Sequence, residues 1–278
     1  MTNPIADPLV EVPDTDAASR LVLIEATPAG VATVTLNRAM RRNAFDDHLI
    51  AALHEAFETL KGAEGVRVVF LRGAGGTFSA GADLEWMRDA IERSEADNRE
   101  DALAMAVMLK SLRDMPALTV ALVEGGAFGG GAGLAAACDL AVCTADARFS
   151  FSEVRLGLIA ATISPYVVEA VGPRQARGLF ATGRVFDAAH ADKIGLVTEV
   201  VADTVALNAA RDRIAAEMMA CAPGAVEASK KLVDDVAYRP VEDVMEETAK
   251  RIARARVGEE GQEGVRAFLA KRKPSWAV

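Results

Sequence analysis

Two glycine-bearing loops hold the backbone groups of this chain best placed to do chemistry. The first lies in VEGGAFGGGAGLAAACDLAV, Val123–Val142, which packs six glycines between an apolar run and an alanine-rich one. A fixed glycine costs roughly 0.5–1 kcal/mol relative to alanine, so the cluster needs a compensating use. Positive φ torsions, or close approach of a ligand to bare N–H groups, are the two uses available. The second loop is FSAGADL, Phe78–Leu84. Each loop leaves an apolar strand-like run and enters a helical one, where N–H groups and the helix dipole favour negative charge. Two such loops can each aim one N–H at the same oxygen. An oxygen that gains charge there is stabilised by about 3–4 kcal/mol per donor in a dry site, and a thioester enolate has such an oxygen.

A dinucleotide fold is the competing reading. Gly131, Gly133 and Ala136 fit G-x-G-x-x-A, and Glu153 follows about twenty residues on. That fingerprint should open the first βαβ unit, whereas here it follows at least four strands. Glu153 also lies well past the strand at Leu140–Cys143, where a ribose-binding acid belongs. An NAD-binding oxidoreductase is therefore the weaker reading.

The elements that must position these loops read as α/β. Val22–Glu25 and Val31–Leu36 form strands across a TPAG turn. A helix begins near Asp46, with Leu49, Leu53, Phe57 and Leu60 on one face, and ends at Gly62. Val66–Leu71 is a buried strand, and a long polar helix follows the second loop up to about Asp114. Leu118–Val123, Leu140–Cys143 and Leu196–Val201 are further strands. Beyond Asp203 the chain is helical, with Pro223 and Pro240 in first turns. Alternating strands and helices predict a mainly parallel sheet. The expected organisation is a disordered tail over 1–20, a core over 21–202 and a C-terminal helical region over 203–278.

Bulk properties narrow the partners. A net charge of −9 over 278 residues argues against nucleic acid, which demands a basic surface. No apolar run nears the roughly 20 residues that span a bilayer, and the acidic start is neither a signal nor a transit peptide. The expectation is a cytoplasmic protein without membrane contact. Cys138, Cys143 and Cys221 read as buried free thiols, and the three histidines have no metal-type spacing, so no metal is expected.

FSAGADL, FGGGAGLAAACDLAV, FSEVRLGL, ATGRVFDAAHADKIGLVTEVV and EGVRAFLAKRKPSW, in this order, resemble the crotonase (enoyl-CoA hydratase/isomerase) superfamily from about Leu21 onward. The resemblance implies a spiral of ββα units with a C-terminal helical trimerisation region, an acyl-CoA substrate, no other cofactor, and a homotrimer or dimer of trimers. It places the oxyanion-hole N–H groups at Ala82 and Gly130, lays Ala80 and Ala82–Glu85 (with Asp83 and Leu84) along the CoA, and makes Glu153 the acid/base. It sets Arg38 or Arg42 toward CoA phosphates, and Phe268 and Lys271 near the adenine of a neighbouring subunit's CoA.

Gly133 stands where the best-known hydratases carry their first glutamate, which implies a one-carboxylate site. FSAGADLEWM, that missing glutamate and ISPYVV resemble bacterial 3-methylglutaconyl-CoA and carboxygeranoyl-CoA hydratases, of leucine and acyclic terpenoid breakdown. Such an acyl group carries its own carboxylate, for which Arg155 and Arg88 are the candidates in sequence. A Δ-isomerase using the same glutamate stays open, as does a non-enzymatic scaffold. Asp83 reads as a helix N-cap, Asp139 as structural, and Trp86, Met87 and Met105 as core or pocket wall.

Overall fold

A computed structural model describes residues 20–277; the expected tail falls, but for Arg20, outside the described residues. β1 (Val22–Ala26) and β2 (Val31–Leu36) pair antiparallel, and β3 (Val68–Gly73), β4 (Leu118–Val123), β6 (Leu140–Thr144) and β9 (Glu199–Val201) add in parallel. The sheet order is β1-β2-β3-β4-β6-β9. The inner strands are apolar on both faces because helices cover both. Val69, Leu71, Ala121 and Val123 share a core with α1 (Asp47–Gly62) and α3 (Glu95–Arg113). Val68, Phe70, Val120 and Leu122 pack on the other side against Leu207, Ala210 and Ile214 of α7 (Thr204–Met219). The first helix after Asp203 is thus part of the core. The remaining C-terminal helices are α8 (Pro223–Val236), α9 (Val241–Val257) and α10 (Glu259–Leu269).

The expected helix near Asp46 is present: the Asp46 carboxylate accepts from the Leu49 N–H at 2.8 Å, and all four residues of its apolar face are buried. The expected long polar helix is two. α2 (Leu84–Glu92) ends before Ser94, whose side chain and that of Asp97 form a capping box that starts α3. β3 begins two residues later than expected, because the Arg67 N–H donates to the Gly30 carbonyl and its guanidinium to the Met218 carbonyl. β9 is shorter than the expected strand, Pro240 caps α9 from outside, and Cys221 at the end of α7 is exposed. Burial pushes the Cys143 thiol up to about 12, which makes it inert at neutral pH.

A second small sheet has no counterpart in the sequence reading. β5 (Gly126–Phe128) pairs parallel with β7 (Arg148–Ser150), and β7 pairs antiparallel with β8 (Phe186–Asp187). It matters because β5 carries the chain from β4 into the glycine loop, and β7 leads to Glu153.

Candidate active site

The two loops lie side by side. Ser79 and Ala127 form a parallel bridge, with the Ser79 N–H donating to the Gly126 carbonyl and the Phe128 N–H to the Ser79 carbonyl, each at 3.0 Å. Three residues on, Phe45 and Ala82 form another: the Phe45 N–H donates to Gly81 at 2.7 Å and the Asp83 N–H to Phe45 at 2.8 Å. Those bonds flank Ala82 and leave its own N–H turned away from Phe45. Gly130 opens α4 (Gly130–Ala136), so its N–H lies in the first turn and has no partner within the helix. Neither N–H donates to any described protein group. Gly81, at φ +89, lies against the Phe128 carbonyl, where a Cβ would come within 2.9 Å, so the loop bearing Ala82 closes directly onto the loop bearing Gly130. Met105 and Phe45 wall Gly130 with apolar atoms.

Glu153 begins a short 3-10 turn (Glu153–Leu156), separated from β7 by Phe151 and Ser152. Gly129, at φ +49, leaves room for its carboxylate: a Cβ there would lie 3.0 Å from Oε1. Oε2 is buried without a hydrogen-bond partner. Burial pushes the carboxyl above its ordinary range, and a hydrogen bond from its own backbone only partly offsets this. A raised carboxyl with one oxygen unpartnered, set against Gly129 directly before the free N–H of Gly130, has the features of a general acid/base next to a backbone anion site.

The place of the missing glutamate is filled with hydrocarbon. A Cβ on Gly133 would lie 2.1 Å from Ile163 Cγ2 and 2.5 Å from its Cβ, and Ile163 is only 2 % exposed. No carboxylate can occupy that position while Ile163 does.

A sequence model of the enoyl-CoA hydratase/isomerase family matches residues 26–278. The chain belongs to that family. An enoyl-CoA hydratase from Shewanella pealeana is similar over 92% of this chain and 96% of its own, at 36% identity and a TM-score of 0.89. Pseudomonas aeruginosa AtuE is similar over 93% of this chain and all of its own, at 37% identity and a TM-score of 0.89. Enoyl-CoA hydratase ACTT6 of Alternaria alternata is 32% identical over 89% of this chain and 82% of its own. The expected α/β fold with C-terminal helices is therefore that of an enoyl-CoA hydratase/isomerase, and the protein is an enzyme of that family.

The enoyl-CoA hydratase/isomerase resemblance assigned further residues to CoA, and the structure distributes them unevenly. Arg38 is turned inward, its side chain 18% exposed: it pairs with Asp46 at 2.7 Å and Asp83 at 2.9 Å and donates to the Ala44 carbonyl. One guanidinium thereby joins the N-caps of α1 and α2. Burial pushes the Asp83 carboxyl up, but the Glu85 N–H and Arg38 outweigh that and hold it below the usual range. Asp83 is the expected N-cap, accepting from the Glu85 N–H at 2.8 Å. Ala80 is tied by its N–H to the Arg42 carbonyl, Leu84 is exposed, and Glu85 pairs with Arg41. Arg42 is exposed, and no described residue pairs with its guanidinium. Phe268 and Lys271 are exposed at the end of α10. Asp139 holds Thr119 and Lys230, a structural role.

Sequence reasoning missed Asn43. It is fully buried at φ +54; its Oδ1 accepts from the Arg38 N–H, its Nδ2 donates to the Ala74 and Thr77 carbonyls, and its own carbonyl accepts from Ser79 Oγ. An asparagine directly after a basic run was the available signal, because asparagine is among the few non-glycine residues enriched at left-handed positions.

Proposed function

We propose that the protein hydrates an α,β-unsaturated acyl-CoA. The observation that carries this reading is the unpaired Glu153 carboxyl set against the loop whose Gly130 N–H, with that of Ala82, is left free. The thioester oxygen would sit between the two N–H groups. Glu153 takes a proton from water as the water oxygen bonds to Cβ, the C=C electrons pass to an enolate whose oxygen the two N–H groups stabilise, and a proton returned to Cα completes the addition. Arg38 and Asn43 hold the Ala82 loop in place, and Arg42 is the cation of that run left to face CoA. No cofactor besides the CoA of the substrate is needed.

The substrate proposed is methylglutaconyl-CoA, in a cytoplasmic setting; among the described residues no helix is long and apolar enough to cross a membrane. Ile163 in place of a second acid favours one alternative, a Δ-isomerase, because moving a double bond requires one base. Incubation with crotonyl-CoA and methylglutaconyl-CoA should bleach the enoyl-thioester absorbance and yield the 3-hydroxyacyl product, with no saturable NAD binding. A shifted double bond without water uptake would select the isomerase instead.

We also propose a homotrimer or dimer of trimers. Val241, Met245 and Ile252 on α9 and Val265, Phe268 and Leu269 on α10 are exposed, more apolar surface than two solvated helices need. Light scattering at micromolar concentration should return three or six times the 29.3 kDa chain mass; a monomer mass overturns this.

A further inference from the structure

Glu153 also lines a cavity of about 330 Å³ with Phe151, Leu158, Ile159, Phe180 and Arg177. Its walls are hydrocarbon from Phe151 just beyond β7, the segment that follows Glu153, and α5 (Ser164–Thr182). Apart from Glu153, Arg177 is the sole charged residue in that lining, and it stands exposed at the rim. No hydrogen bond or ion pair joins it to any other described residue. The Glu153 carboxyl across the cavity feels burial and its own backbone rather than a cation. The arginines that sequence pointed to are elsewhere: Arg88 lies beside Asp89 on exposed α2, and the Arg155 side chain lies against Gly183.

We infer that Arg177 is the specificity-determining residue of this enzyme, binding a carboxylate at the far end of the acyl chain. This rests on the proposed reaction at Glu153. An apolar cavity with a reacting carboxyl at one side and an unpaired guanidinium at its rim fits a short hydrocarbon segment ending in an anion. The rim position lets the carboxylate keep part of its hydration while it accepts two parallel N–H bonds. A purely hydrocarbon chain would leave the guanidinium without a partner and gain nothing from it.

The test compares crotonyl-CoA with glutaconyl-CoA, which adds a terminal carboxylate to the same unsaturated chain. Wild-type kcat/KM should favour glutaconyl-CoA by at least tenfold. In Arg177→Met that ratio should fall by roughly ten- to hundredfold, the usual weight of a charged hydrogen bond, through KM more than kcat. Arg177→Lys should keep most of the preference. Calorimetry should show glutaryl-CoA binding wild type more tightly than butyryl-CoA, and losing that advantage in Arg177→Met. An unchanged ratio overturns the inference, and an equal loss on both thioesters overturns it in favour of a contact with CoA phosphate. If wild type hydrates neither thioester, the reaction proposed above fails, and calorimetry still decides: glutaryl-CoA no tighter than butyryl-CoA sinks the role of Arg177.

Discussion

Glu153→Gln should lower kcat by at least about a hundredfold while a saturated acyl-CoA still binds with similar affinity, because general acid–base catalysis is typically worth 10²–10⁴-fold. Glutamine keeps the reach of the side chain and removes its basic lone pairs. The Ala82 and Gly130 N–H groups survive the change, so thioester binding should survive with them. With Ile163 filling the space beside Gly133, no second acid there can take over. In wild type, kcat/KM should decline as pH falls through the raised pKa of Glu153, at a pH above the 4.5 of an unperturbed glutamate. The same shift has a stability sign. A carboxyl whose folded pKa is raised costs stability at pH above that pKa, and the cost vanishes below the unfolded value. The Gln variant should therefore melt higher than wild type at pH 8, and the gap should close toward pH 4. A variant retaining over a tenth of wild-type turnover would remove Glu153 from the chemistry.

Gly131→Ala should cost about 10²–10³ in kcat, the weight of one oxyanion donor. Alanine in place of a helical glycine ordinarily gains up to about 1 kcal/mol, so local propensity predicts the opposite. The new Cβ would lie 2.7 Å from Ser79 Cβ and 2.9 Å from its carbonyl oxygen. Ser79 cannot retreat easily, since its N–H, carbonyl and Oγ all hold neighbouring loops. The bridge between the loops must open, and the proposed oxyanion site then loses the alignment of its two N–H groups. Steady-state assay beside calorimetry with a saturated acyl-CoA separates this from unfolding; turnover within threefold of wild type would refute the geometry.

What the sequence disclosed follows the range over which each signal acts. The buried face of α1 and the N-caps at Asp46 and Asp83 are encoded within a few residues, and pattern alone finds them. The capping box at Ser94 and Asp97 was just as local, yet the continuous polar run hid it. The β5-β7-β8 sheet was illegible, because strands of two or three residues carry no periodicity and are held by pairing alone. Ile163 against Gly133, and Arg38 between two helix N-caps, join residues that spacing never brings together. Glu153 was placed by its motif; its unpaired, buried oxygen belongs to the folded chain.

Both proposed oxyanion donors are main-chain atoms, which changes what mutagenesis can see. One belongs to a residue that is already alanine and the other to a glycine, so truncating side chains to alanine passes over Ala82 entirely and adds a methyl at Gly130. A survey that ranked positions by side-chain deletion would assign the site's weight to Glu153 and leave the other half silent. Only substitutions that remove an N–H, as proline does, or that wedge bulk between the two loops can report on it. For this protein, tolerance at a position is thus no measure of how close its backbone stands to the reacting oxygen.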